Sequence, residues 1–204
     1  DEIRIYPGDT IKDSTSNNND GTKTSVGNPL ESSAQIGKGQ TFSSDSISTN
    51  GAYNTNGFTI SLVLNPSDIT TTIYITNGQE SASPDNKRCV IVGAQNNYFN
   101  IYNNGYPTGT AAETQIEATA DIWQYISYGS DGTDVLGHKN AANVIDVTAN
   151  LNCADMDAYY LGQNSPGTVF YAGIMDEVRI SNTLRPTTWE KATYNSLWDT
   201  LLTY

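Results

Sequence analysis

Positive charge is scarce in this chain: 10 Lys plus Arg stand against 22 Asp plus Glu in 204 residues, a formal charge of -12. That balance repels phosphate backbones and anionic lipid, and the largest basic cluster is the pair Lys87-Arg88, so nucleic acid is excluded as a partner. No run approaches the roughly 18 apolar residues of a membrane span, and membrane insertion is not expected. Cysteine is nearly missing. Cys89 and Cys153 lie 64 positions apart, in no CxxC or Cys/His spacing, which argues against zinc and leaves one disulfide or two thiols open. Histidine occurs once, as His138 after an Asp131-Gly132 turn; no serine or cysteine can be assigned to it, and it reads as a solvated loop residue. Good helix formers are few, whereas Asn, Thr and Ser supply 65 residues, so helical bundles and coiled coils are excluded. Among 22 Asn there is no Asn-x-Ser/Thr acceptor, although random order gives roughly four or five.

What the chain does have is alternation. In Phe58-Thr59-Ile60-Ser61-Leu62-Val63-Leu64 every even position is apolar, and the run stops at Asn65-Pro66-Ser67-Asp68, which predicts a strand with one face in a core. Similar stretches at 71–76, 88–93, 98–102, 123–128, 158–162 and 175–180 are separated by Asn-Gly, Asp-Gly and Ser-Pro-Gly turns. Short strands at such spacing predict an all-β sandwich or barrel. Only the end departs, where Pro186 can open a short helix through Trp189, Ala192 and Leu197. No composition shift divides the chain, so residues 1–204 read as one domain. Asp1-Glu2-Ile3-Arg4-Ile5 nearly repeats Asp176-Glu177-Val178-Arg179-Ile180. The echo fits two similar edge strands, or a chain whose residues 1–9 are a linker or strand from a preceding unit. The opening Asp1-Glu2 reads as the start of a mature or excised segment.

Several segments resemble, in order, the laminin G-like, concanavalin A-like jelly-roll family. Residues 13–22, Asp-Ser-Thr-Ser-Asn-Asn-Asn-Asp-Gly-Thr, resemble its early "DSSGNGNxGT" loop, and residues 36–42 resemble "GKxGxAxxF". Residues 57–66 are similar to "FTISFWVKP", and Asp121-Ile122-Trp123-Gln124-Tyr125-Ile126 sits where that family has "xxWHHV". The most specific match is residues 170–182, similar to "FxGxIDEVRIxN". Gln124-Tyr125 in place of paired histidines, and Ser44-Asp45-Ser46 in place of "DGxxDY", are departures. The resemblance implies a two-sheet antiparallel jelly-roll β-sandwich of about a dozen strands with one concave surface. Fold alone does not fix function, and this one serves lectins, glycanases, adhesins and viral surface proteins.

Catalysis has little support. Glycanases on this fold set two carboxylates on one strand face roughly 5 Å apart, and none of the seven Glu stands in such an arrangement. Asp155 and Asp157 share a face at i, i+2 but precede a strand, in what reads as a loop. Metal has more. A hard cation such as calcium takes six to eight oxygens, and Asp13, Asn17, Asn19 and Asp20 offer them in one loop that fails the EF-hand pattern at Asn18 and Thr24. The resemblance adds Asp176 to that structural calcium set. The competing reading is an Asn-rich turn capped by its own side chains, with Asp176 paired to Arg179 or Arg4.

Recognition of a sugar rests on Asn97-Tyr98-Phe99-Asn100-Ile101-Tyr102-Asn103, where Phe99 and Ile101 point to a core and Tyr98, Asn100 and Tyr102 point away. Tyrosine stacks on a pyranose and an amide pairs its hydroxyls. Trp123, Tyr125 and Tyr74 would extend the patch, although tyrosines also pair across strands with no ligand at all. The expected function is a non-catalytic recognition module, extracellular or on a cell or virion surface, binding carbohydrate and braced by calcium. The alternative is a structural subunit of a cell-surface or virion assembly, touching surface proteins or copies of itself.

Overall fold

The computed structural model describes residues 3–4, 10–23, 29–55, 57–70, 73–79, 88–95, 97–104, 114–148, 153–163 and 169–199. Sixteen strands and one helix fill them. In chain order the strands are β1 (Ile3–Arg4), β2 (Thr10–Asp13), β3 (Gly21–Lys23), β4 (Leu30–Ser33), β5 (Lys38–Phe42), β6 (Ile47–Thr55), β7 (Phe58–Pro66) and β8 (Ile73–Gln79). They continue with β9 (Arg88–Gln95), β10 (Tyr98–Asn104), β11 (Thr114–Glu117), β12 (Gln124–Ser130), β13 (Asp134–Lys139), β14 (Ala142–Thr148), β15 (Cys153–Leu161) and β16 (Gly173–Ser181), followed by α1 (Thr187–Leu197).

The strands form two antiparallel sheets. One has nine strands in the order β1-β2-β3-β6-β15-β8-β9-β10-β11, the other seven in the order β14-β13-β12-β7-β16-β5-β4. Consecutive strands repeatedly exchange sheets, as the jelly-roll reading requires, and the all-β sandwich with one short C-terminal helix is what the sequence predicts. Ile3 pairs with Asp13, so the first described strand belongs to this same sandwich. Between the sheets lie Phe99, Ile116, Ile75, Ile47 and Leu161 from one side, and Phe58, Ile60, Leu62, Leu64, Ile126, Val135 and Met175 from the other. The Tyr128 hydroxyl crosses that layer and donates to the Phe99 carbonyl at 3.0 Å, so the buried phenol is satisfied.

The outer face of the seven-stranded sheet is also closed. Thr59 and Ser61, the polar positions of the alternating run, are 4% and 1% exposed. Thr59 Oγ1 donates to the Thr183 carbonyl and accepts from the Arg185 N–H, both at 2.8 Å, which brings the segment after β16 down onto β7 and α1 over β12 and β13. Pro186 fixes the extended residue from which the helix starts, as its N-cap. Tightness elsewhere falls on Gly162, whose φ of +84° suits glycine and whose missing Cβ would sit 2.4 Å from Phe42 Cδ1.

Several sequence readings change here. Asp155 and Asp157 lie inside β15, not in a loop, where the register with β6 shifts on either side of Met156. The cysteines do not come together. Cys89 stands opposite Gly78, and Gly78 opposite Tyr159, so Cys89 aligns with a residue six positions from Cys153 and two strands over. Strand rise and spacing put them roughly 20 Å or more apart, against the ~7 Å that a bridge spans.

Candidate ligand-binding face

The predicted sugar contacts do not share one face: Tyr98 and Asn100 stand on β10 of the nine-stranded sheet, and Trp123 stands in the turn before β12. Tyr98 and Asn100 occupy alternate positions of β10, while Phe99 between them is fully buried in the core, so register sends these two to the outer face of the nine-stranded sheet. Tyr125 is on β12 of the other sheet. It is not exposed at all: its ring sits beneath α1, 6.1 Å from Tyr194, and its hydroxyl donates to Glu190 Oε2 at 2.5 Å. Alternation placed Tyr125 correctly on an outer face; the helix that covers it gave no apolar periodicity to read. Tyr125 is therefore a packing residue, and burial beside Glu190 pushes its phenol far above the ordinary range.

His138 is corrected by the same helix. It is 1% exposed on β13, with Nδ1 3.1 Å from Ser127 Oγ and Nε2 3.1 Å from Thr187 Oγ1. Burial holds the imidazole below its usual value, with Asp146 pulling weakly the other way. Ser127 is equally buried, so this serine–histidine contact has no room for a substrate and serves as a polar clasp for α1.

The predicted calcium donors Asp13, Asn17, Asn19, Asp20 and Asp176 take part in hydrogen bonds within the chain. Asp13 accepts from the Thr15 N–H and hydroxyl and from the Asn19 N–H, each at 2.8 Å, and its loop is closed by these bonds. Asn17 contributes only its backbone N–H, to the Thr15 hydroxyl, while Asp20 pairs with Lys12 and accepts the Asp13 N–H, which lowers its pKa. Asp176 accepts from the Ile36 N–H at 2.8 Å and the Glu177 N–H at 2.9 Å, capping the turn before β5 instead of joining the Asp13 loop. Among the described residues no three His, Cys, Asp or Glu side chains gather. Arg179 pairs with Glu177 at 2.8 Å, not with Asp176, because a bulge between Asp176 and Arg179 puts Glu177 at φ +48° and shifts the alternation by one.

Exposed along β10 and β11, among the described residues, are Tyr98, Gln115 and Glu117. Register sets Tyr98 opposite Glu117 and Asn100 opposite Gln115, and on the other flank Tyr98 opposite Gln95 and Asn100 opposite Gly93. Gly93 is in turn opposite Tyr74, so one row crosses four strands as Tyr74, Gly93, Asn100, Gln115. Tyr98 is 39% exposed, an unusual value for a tyrosine on a sheet face, and Gln115 and Glu117 are exposed beside it. Asn100 is 2% exposed, contrary to expectation, and its amide donates to the Tyr98 carbonyl at 3.0 Å, so it holds the strand under Tyr98 more than it presents itself. The side chain of Tyr102 lies outside the described residues.

At one end this face meets a rim of tight turns. The Asn97 N–H donates to the Ile69 carbonyl, the Ala118 N–H to the Asn97 carbonyl and the Asp121 N–H to the Pro66 carbonyl. Gln124, buried, closes the crossing from β11 to β12 by bonding both the N–H and the carbonyl of Thr119. Trp123 ends that crossing half-buried, next to Ile122, which is 54% exposed. Lys139 reaches the Glu117 carbonyl at 2.7 Å. Asn97, Asp121, Asn140 and Ala141 all take positive φ, between 47° and 70°, a concentration of left-handed backbone that marks a surface held in a set shape. Gln115, Glu117 and Ile122 were not foreseen, because β11 is four residues long and its partners become visible only through pairing.

The fold is a two-sheet antiparallel β-sandwich. No known protein family matches the sequence, and no curated protein does. Solved structures do. The chain is similar to domain 4 of AbnA, a GH43 extracellular arabinanase from Geobacillus stearothermophilus solved with arabinotriose, at 16% identity and a TM-score of 0.66, over 94% of this chain and 98% of that one. It is similar to the binding domain of Paraclostridial Mosquitocidal Protein 1, at 15% identity and a TM-score of 0.70, over 96% of this chain and 51% of that one. The binding domain of botulinum neurotoxin serotype G follows at 10% identity and a TM-score of 0.72, over 95% and 50%. The chain thus spans about half the length of the toxin domains it matches. Among the described residues no helix is long and apolar enough to cross a membrane.

Proposed function

We propose that this chain is a non-catalytic carbohydrate-recognition module acting outside the cell, with its sugar contacts on the outer face of β10 and β11. The observation that carries the reading is Tyr98: a side chain 39% exposed, with its backbone carbonyl held by the Asn100 amide and with Gln115 and Glu117 exposed on the neighbouring strand. A pyranose or furanose laid on that ring buries C–H surface, while the amide and carboxylate exchange hydrogen bonds with its hydroxyls. Similarity to a domain solved with arabinotriose, and to binding domains of toxins that include one solved with SialylT, supports a glycan as the ligand class. Non-catalytic action is supported by the buried state of Ser127 and His138.

Calorimetric titration with a set of oligosaccharides tests the proposal. Tyr98→Ala should weaken binding on the order of tenfold or more by removing the stacking surface, with the melting temperature unchanged. Equal affinity for wild type and variant would remove Tyr98 from the site.

A second reading, assembly through protein contacts, draws on two sheet edges. β4 exposes Leu30 at 61%, and β14 exposes Val144 and Val147 at 49% and 42%. Light scattering that finds a monomer at millimolar concentration ends the version in which copies of this chain pair.

A further inference from the structure

We infer that the β10–β11 face selects neutral glycans and turns away those bearing a carboxylate or sulfate, an inference that rests on the proposal of a glycan site there. The reason is the placement of charge. Glu117 stands directly opposite Tyr98, and Asp121 is exposed on the adjoining rim. An anionic sugar seated on Tyr98 would meet both carboxylates, whereas neutral hydroxyls can donate to them.

One cation stands at this rim among the described residues: the Lys139 ammonium, which donates to the Glu117 backbone carbonyl at 2.7 Å, keeps its charge and offsets one of the two carboxylates, leaving the rim net negative. Arg88 is on β9 but seven residues along from Gln95, the residue opposite Tyr98, which is about 23 Å at the rise of a strand and well beyond a screening length of about 8 Å. Lys12, Lys38 and Arg179 are paired with Asp20, Glu31 and Glu177. The field of a chain with net charge -12 adds to the same repulsion over longer range. The toxin domain solved with SialylT therefore shares the fold with this chain but not, by this inference, the charge preference of its ligand.

The test compares arabinotriose and lactose with 3′-sialyllactose on the intact chain, at pH 7 and 50 mM salt. At least one neutral sugar should bind ten times or more tightly than the sialylated one. Raising salt to 500 mM should narrow the ratio, and Glu117→Gln should narrow it at least threefold at low salt. Sialyllactose binding as tightly as the neutral sugars overturns the charge inference and leaves the glycan site standing. No binding by any of the three while other glycans also fail overturns both. A ratio that Glu117→Gln leaves unchanged overturns the assignment of the selectivity to this face.

Discussion

Tyr125→Phe deletes one oxygen from beneath α1 and changes almost nothing else in shape, so its cost isolates the Tyr125–Glu190 contact. Both side chains are fully buried, and Glu190 Oε1 has no hydrogen-bond partner among the described residues, so Oε2 and the Tyr125 hydroxyl carry the carboxylate. A hydrogen bond to a charged group in such a setting is worth about 1.5–3 kcal/mol. The expected loss at pH 7 is about 2–3 kcal/mol, or roughly 5–10 °C for a domain of this size. The pH dependence has a definite sign. Burial raises the pKa of Glu190 above the ordinary carboxylate range, while the Tyr125 bond and the Arg185 and Arg179 charges oppose it. A raised folded-state pKa means stability that is complete below pH 4.5 and is lost as pH rises through the raised value. Phe at 125 removes one of the opposing contacts and raises that pKa further, so the variant loses more than wild type over the same rise. Its deficit should shrink toward about 1 kcal/mol at pH 4, where the carboxyl is neutral. Urea unfolding at pH 4, 5.5 and 7 measures this, and Glu190→Gln in the same series should reduce the Tyr125→Phe cost at pH 7 to about 1 kcal/mol. A deficit below 0.5 kcal/mol at pH 7, or one that grows on acidification, refutes the reasoning. Glycan affinity should not change, since Tyr125 faces the helix and not the open sheet.

Asn140 and Ala141 form a two-residue turn between β13 and β14 with φ of 47° and 69°, and alanine is strained there; Ala141→Gly should stabilise by about 0.5–1 kcal/mol in thermal unfolding, and a lower melting temperature would contradict the assigned turn. Cys89 and Cys153 should both react with a thiol reagent in the denatured, unreduced protein, while a bridged species detected by intact mass contradicts the strand order between β9 and β15. Burial lifts Asp176 to about 6 against the opposing Ile36 and Glu177 N–H bonds, so its contribution is present below pH 3.8 and lost as pH rises through 6; Asp176→Asn should flatten that slope, and an unchanged slope would remove Asp176 as its source.

The sequence carried the sandwich because alternation survives wherever one face is core. β7, β12 and β16 begin and end within two residues of their predicted bounds, and β10 starts where expected. Errors cluster where a second layer covers an outer face. The rule that alternate residues point outward is correct for Thr59, Ser61, Tyr125 and His138, but outward is not exposed once α1 lies across them. The helix itself was hard to weigh, since it is fastened by Thr187, Glu190 and Tyr194 to polar and aromatic partners and not by an apolar stripe. A bulge accounts for a further misreading, because a single extra residue at Glu177 reverses which side chains share a face. The Asp13 loop was read as metal-ligating or self-capped, and its three bonds to Asp13 match the self-capped alternative.

The same covering layer decides where recognition can occur. A sandwich has two outer faces, and here the centre of the seven-stranded one is spent on holding α1: its hydroxyls, its histidine and its tyrosine all bond inward to the helix or to the segment before it. Opening that face to a ligand would expose Glu190 and His138 and strip them of partners they need, at a cost of several kcal/mol. The face of β10 and β11 asks for no such rearrangement. Tyr98 is already exposed, and Gln115 and Glu117 flank it on a strand two residues from the rim that Gln124 locks. A ligand that binds there meets a surface whose turns were set in left-handed conformations during folding, so little ordering remains to oppose association. That difference in cost, more than the resemblance of the whole fold to glycan-binding neighbours, is why the sugar site is assigned to the nine-stranded sheet.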